Sequence, residues 1–172
     1  HFSITETKAE LALAEFIVLN DFTAVAMSLP ALKDGEKIQF GEGSADVTKP
    51  MAVLGAGTGL GVGHLIPTAH GFIPLPGEGG HLDWTAQNEQ EWFIQRYLAA
   101  HYGHVSPERL LSGPGIESLY LAIAAYRGIE VEPMSAAEIS SHALHGSNEL
   151  CSAVINQFFA SLGALAGDLA LT

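Results

Sequence analysis

Two apolar runs with only a glycine-rich turn between them constrain this fold more than any other feature. Met51 to Leu54 and Val62 to Ile66 are short and apolar, and Gly55-Ala56-Gly57-Thr58-Gly59-Leu60-Gly61 joins them. This pattern predicts a β-hairpin. The turn also invites a nucleotide-loop reading, but the chain lacks the contexts such loops require. No register of residues 55 to 63 gives G-x-G-x-x-G, the following segment reads as strand, and no Lys-Ser/Thr follows the last glycine. Two readings stay open. The turn is a structural glycine hairpin, or its backbone N–H groups and the Thr58 hydroxyl cup a phosphate.

A further short strand, Ile73 to Leu75, leads into Leu75-Pro76-Gly77-Glu78-Gly79-Gly80-His81-Leu82-Asp83. Glycine lets backbone and ligand approach closely. This loop either presents Glu78 and His81 to a small polar ligand, of which a sugar is the sharpest choice, or is a turn with two solvated side chains. Asn20-Asp21 follows the apolar run Phe16 to Leu19, read as a buried strand, and precedes a helix from Phe22 to Leu29. Ligand-binding groups sit at such strand-to-helix junctions in α/β proteins. An amide beside a carboxylate can bind vicinal hydroxyls, and the carboxylate can accept a hydroxyl proton. Capping of the following helix is the competing role. Glu108, directly after Ser106-Pro107, occupies the first turn of a short helix, where the dipole favours a carboxylate without any ligand.

Helical patterns account for much of the remainder. Ser3-Ile4-Thr5-Glu6 starts a helix from Thr5 to Phe16. Asn88 with Glu91 caps one reaching Ala100, and the short helix after Ser106 stops at Ser112-Gly113-Pro114-Gly115. Ile116 to Tyr126 is helical, Ser135 with Glu138 caps a helix to about Leu144, and a long helix begins at Asn148. Lys33 to Lys49 reads as a mobile polar stretch.

Hydrophobic content of 48% against 15% charged residues predicts a packed core. A formal charge of −12 disfavours nucleic acid and anionic membrane surfaces as partners. The most apolar stretch, Ala153 to Leu171, contains Asn156, Gln157 and Asp168 and reads as a core helix, not a membrane span. Cys151 is the only cysteine, which forbids an intrachain disulfide, fits a reducing cytoplasm, and suits core packing. There is no signal peptide at the start. A chain that starts at His1 without Met and stops at Thr172 within an apolar run is expected to be part of a longer protein. His64, His70, His101, His104, His142 and His145 show no metal-ligand constellation and read as surface residues. No serine or cysteine nucleophile signature is present.

Taken together, four runs resemble the bacterial glucokinase family, ATP-dependent sugar kinases of the actin-like ATPase superfamily. They are Leu19-Asn20-Asp21-Phe22-Thr23-Ala24, Gly55 to Gly61, Leu75 to His81, and Glu108-Arg109-Leu110-Leu111-Ser112-Gly113-Pro114-Gly115. Order and spacing match, over essentially the whole chain from Phe2-Ser3-Ile4 to the last helix. The related repressor and sugar-kinase group carries a cysteine-rich zinc motif that this chain lacks. The resemblance implies an α/β fold of the actin-like (ribonuclease H-like) kind. Residues 1–31 would be a remnant of the small domain carrying the catalytic strand end, and 32–172 most of the large domain. It implies phosphorylation of D-glucose to glucose 6-phosphate, with Asp21 as base on the 6-hydroxyl and Asn20 on neighbouring hydroxyls. Glu78, His81 and Glu108 would hold the other end of the ring, and Gly57, Thr58 and Gly59 would line the phosphate side. ATP and Mg²⁺ are the implied cofactors, glucose the ligand, and a cytoplasmic homodimer the expected form. The family's opening Asp-x-Gly-Gly-Thr-Asn loop and its later glycine-rich adenosine segment are not in this sequence, so poor turnover by the chain as given is expected. A hexose-binding sensor without catalysis is the alternative, against which the retained Asp21 speaks.

Overall fold

A computed structural model describes residues 3–171. The glycine hairpin forms as its flanking runs predict. β1 (Met51–Ala56) pairs antiparallel with β2 (Leu60–Thr68), Ala56 opposite Leu60, leaving Gly57-Thr58-Gly59 as the turn. β3 (Gly71–Leu75) pairs with β2 through a second tight turn, Thr68 opposite Gly71, giving a sheet of order β1-β2-β3. Gly71 takes φ +123°, a conformation that a side chain would resist.

Helix α2 (Asp21–Ser28) packs across this sheet. The reason lies in the glycines. Gly55 and Gly61 face each other in the ladder, and a Cβ on Gly61 would overlap the Phe22 ring. The missing side chains form a slot for Phe22, so α2 approaches closely and Ala26 is fully buried beneath it. This packing seats Asn20 and Asp21, at the N-terminus of α2, beside the hairpin.

The second half is helical. α3 (Glu89–Tyr102), α4 (Gly113–Tyr126), α5 (Ala136–Leu144) and α6 (Glu149–Ala170) enclose Ile94, Leu98, Leu119, Ile123, Ile139 and Val154. Local chemistry starts each helix: Asn88 Oδ1 accepts from Glu91 N at 3.0 Å, Asn148 Oδ1 accepts from Leu150 N at 2.9 Å, and Ser135 with Glu138 closes a capping box. α6 is long and apolar enough to cross a membrane by length and composition. Here it buries Leu150, Cys151, Val154, Gln157, Phe158, Ser161, Leu165 and Leu169 at helical spacing, mostly toward α4 and α5. Its buried polar groups are paired, since Gln157 Nε2 donates to Glu91 Oε1 at 2.9 Å and to Ser161 Oγ at 3.1 Å. Cys151 is buried as expected, and burial pushes its thiol pKa up.

Five expectations are corrected. The first helix, α1 (Ile4–Glu10), stops well short of Phe16. It buries none of its residues, and Ala12 already sits at φ +49°; without a packed face so short a helix has little to extend it. Residues 16–19 form no strand, and Ile17, Val18 and Leu19 are exposed. A strand needs a neighbour for its N–H and C=O groups, and the β1-β2-β3 sheet offers it none. Around Glu108 there is a 3₁₀ turn, Pro107–Arg109, in place of a short helix. Ser112-Gly113-Pro114-Gly115 then opens α4, with Ser112 Oγ accepting from Gly115 N at 3.0 Å and proline in the first turn. His64 is not a surface residue, because its Nε2 is buried and without a hydrogen-bond partner. Lys33 to Lys49 holds one 3₁₀ turn, Asp34–Glu36, and otherwise no helix or strand.

Candidate active site

Asn20, Asp21, the Gly57-Thr58-Gly59 tip, Glu78 and Glu108 line one open cavity of about 310 Å³. Segments distant in sequence supply them, and a chain of short contacts holds the segments together.

Asn20 caps α2, its Oδ1 accepting from Phe22 N at 2.9 Å and Thr23 N at 3.2 Å. Asp21 Oδ1 accepts from the same Phe22 N–H at 2.8 Å. The capping role weighed for this pair is therefore real for Asn20, and it does not remove the pair from the cavity. One N–H anchors Asp21 at the rim, and its side chain stays exposed.

Glu108 is held by the hairpin, not by the dipole of its own turn. Its Oε2 accepts from Leu60 N at 2.9 Å. This is possible because residue 59 is glycine: a Cβ there would lie 2.6 Å from Glu108 Oε2. Ser112 Oγ donates to the Glu108 carbonyl at 2.8 Å, and the Arg109 guanidinium lies 4.3 Å from the Tyr102 ring centroid. The hairpin tip is fastened to the start of α4 as well, since Gly113 N donates to Gly57 O at 2.8 Å.

The second glycine loop is built by similar close approaches. Gly79–His81 forms a 3₁₀ turn against β2, and a Cβ on Gly80 would collide with the Leu60 carbonyl oxygen. Gly79 and Gly80 thus make room for protein, whereas Gly77 faces the cavity. Glu78 is consequently delivered to the cavity wall.

Comparison with known proteins decides the family. A family model described as glucokinase matches residues 1–172. A glucokinase from Aromatoleum aromaticum is 46% identical over 171 residues, 99% of this chain and 52% of the relative. One from Klebsiella pneumoniae is 47% identical over 172 residues, 99% of this chain and 53% of the relative. A solved glucokinase structure from an Antarctic psychrotroph superposes with a TM-score of 0.88 at 40% identity, covering 99% of this chain and 53% of that one. The chain belongs to the glucokinase family.

Its α/β architecture is that of the glucokinases, as the four motifs implied. The chain spans about half the length of the curated relatives it matches. Within this glucokinase-family fold, His81 is the one expected site residue that does not line the cavity. It stands just behind, with Nδ1 3.9 Å from Glu108 Oε1 and Nε2 4.0 Å from Glu78 Oε2. The imidazole thus spans two carboxylates at distances too long for direct hydrogen bonds. His101 and His104 do not converge, because His101 contacts the Tyr97 carbonyl and His104 contacts Asp83.

Sequence reasoning missed Phe22, Gly61 and Leu60 as cavity builders. The signal for Phe22 and Gly61 was a large aromatic near a glycine-paired ladder, readable only once Gly55 and Gly61 are known to face each other. The Leu60 N–H carries no side-chain signal at all.

Proposed function

We propose that this chain carries the sugar side of an ATP-dependent glucose kinase, with Asp21 as the base. The observation behind this reading is the convergence of Asn20, Asp21, Glu78 and Glu108 on one cavity that also contains the hairpin tip. Its volume of about 310 Å³ falls at the small end of ligand pockets, roughly 300–1,000 Å³. Carboxylates and an amide suit the hydroxyls of a hexose, each of which both donates and accepts. A site that bonds several hydroxyls rejects epimers.

In this reading Asn20, Glu78 and Glu108 bind ring hydroxyls, and His81, 3.9 Å from Glu108 and 4.0 Å from Glu78, reaches a hydroxyl at the far end of the ring. Asp21 accepts the 6-hydroxyl proton as that oxygen bonds to the γ-phosphorus. The bond from phosphorus to the bridging oxygen breaks, and its electron pair leaves with ADP. Of the hairpin N–H groups, Gly57 bonds Gly59 O and Leu60 bonds Glu108. The N–H groups of Thr58 and Gly59 and the Thr58 hydroxyl carry no hydrogen bond among the described residues, and they fit a phosphate. No group of three or more metal-ligating side chains converges among the described residues. Mg²⁺ would be carried by the nucleotide, where it would neutralise phosphate charge. Residues 1–31 belong to a smaller domain and 32–172 to a larger one, the protein is cytoplasmic, and it works as a homodimer. The chain as given turns over poorly.

The test uses a protein of the relatives' full length. Asp21→Ala lowers kcat by about 10²–10⁴-fold while leaving the calorimetric glucose affinity nearly unchanged. Unchanged kcat removes Asp21 from the chemistry. Titration with glucose, galactose and mannose identifies the sugar, and a coupled assay on the 172-residue chain reads its own turnover.

A further inference from the structure

Gly57 and Gly59 flank Thr58 at the hairpin tip, and they differ in what surrounds them. Neither takes a left-handed φ, so the backbone accepts a side chain at both. Among the described residues, a Cβ on Gly57 would meet nothing within 4 Å. A Cβ on Gly59 would lie 2.6 Å from Glu108 Oε2 and 3.4 Å from Glu108 Cδ, and it would meet no other residue beyond its chain neighbours. Neither a turn conformation nor backbone packing therefore calls for glycine at 59. What the missing side chain leaves open is the place of one carboxylate oxygen.

That oxygen is fixed from the hairpin. Leu60 N, the next N–H along from Gly59, donates to it at 2.9 Å, and Leu60 is buried. The segment that carries Glu108 is fastened to the same tip, because Gly113 N donates to Gly57 O at 2.8 Å. The two backbones are thus tied together, and the part free to yield is the end of the Glu108 side chain. Its other oxygen, Oε1, has no hydrogen bond among the described residues and stands 3.9 Å from His81 Nδ1. Oε1 is the atom left for a ligand. Carbon against oxygen at 2.6 Å is far inside contact distance, so alanine at 59 turns the carboxylate off Leu60. The two oxygens belong to one rigid group, and Oε1 moves with Oε2.

We infer that Gly59 is a positioning residue for the sugar, acting through Glu108, although it sits on the phosphate side of the cavity. The inference rests on the reading of Glu108 as a hydroxyl binder. Calorimetric titration of glucose without nucleotide tests it, on a protein of the relatives' full length, so that phosphate contacts at the tip play no part. Gly59→Ala weakens glucose binding by about 10–100-fold, the loss of a hydrogen bond to a charged group. In a Glu108→Ala background the same substitution has no oxygen to displace, and it changes the remaining affinity by less than about twofold. A merely structural role for Gly59 would cost the same in both backgrounds. Thermal melts report folding, and Gly59→Ala folds because only the flexible end of one side chain has to move. An unchanged glucose affinity in Gly59→Ala, or equal losses in the two backgrounds, overturns the inference and leaves the sugar role of Glu108 standing. An unfolded Gly59→Ala protein overturns it too, since the hairpin and not the side chain has then given way. A parent that binds no glucose overturns both the inference and the reading beneath it.

Discussion

Between Glu89 and Ala170, apolar side chains such as Ile94, Leu119, Ile123 and Val154 are fully enclosed, whereas Ile17 is 72% exposed, Ile38 82% and Phe40 91%. Composition does not separate the two regions. What separates them is a partner surface. Each helix of the second half begins at its own cap and lays a face on another helix. In the stretch from Leu11 to Val47 only α2 has such a surface, because the glycines of β1 and β2 make room for Phe22. The candidate site lies where the two regions meet, and each contributes residues to its cavity.

The largest effect that can break this contrast is a cavity in the packed half. Ile123→Ala, at a fully buried position, is expected to cost about 2–5 kcal/mol in chemical denaturation. A cost below 1 kcal/mol would mean that the helical half is loosely packed.

Next comes the link between the regions. Glu108→Ala leaves the Leu60 N–H without its acceptor and costs about 1 kcal/mol, together with weaker glucose binding. Glu108→Gln keeps an acceptor for Leu60 and removes the charge. It should therefore recover most of the stability and little of the affinity, as thermal melts and calorimetry would show. Equal losses of stability in both variants would mean that the hairpin does not depend on this bond.

How legible the molecule was follows the same division. The caps at Asn88, Ser135 and Asn148 act within three residues of themselves, so their helices could be read directly. The hairpin was equally local. The strand expected at residues 16–19 was not, since β-branched residues favour a strand only where a neighbour completes it. The SGPG segment misled for a different reason: Gly and Pro punctuate both ends of helices, and only Ser112 bonding Gly115 N shows which end this is. Asp21, Glu78 and Glu108 stood out from local pattern, and their roles came through the family resemblance. Their convergence rests on the slot at Gly61 and the gap at Gly59, contacts between segments far apart in the chain that no local pattern records.

A smaller effect is present at neutral pH and lost in acid. Two hydrogen bonds from Ser135, one from its hydroxyl and one from its backbone N–H, hold the Glu138 carboxyl below the usual carboxylate range. A group whose pKa is lower in the folded state adds stability above its unfolded value and loses it as pH falls through the folded one. The α5 cap therefore helps fully at neutral pH and fades in acid. Glu138→Gln should flatten that part of the stability–pH curve by lowering the neutral melting temperature slightly toward its acid value. An unchanged acid limb would show that the capping box does not hold in solution.

Phe40→Ser is expected to do least. Its ring is 91% exposed, and surface substitutions of this kind stay within about 0.5 kcal/mol. Ile123 and Phe40 are both large and apolar, so their intrinsic transfer free energies are comparable. What differs is how much of each the fold removes from water. Measuring the two substitutions side by side in one denaturation series therefore isolates burial from residue type. A Phe40→Ser loss approaching that of Ile123→Ala would place the ring against protein and end the contrast between the two regions. A loss near zero leaves the stability of this chain residing in the helical half and the α2–hairpin slot.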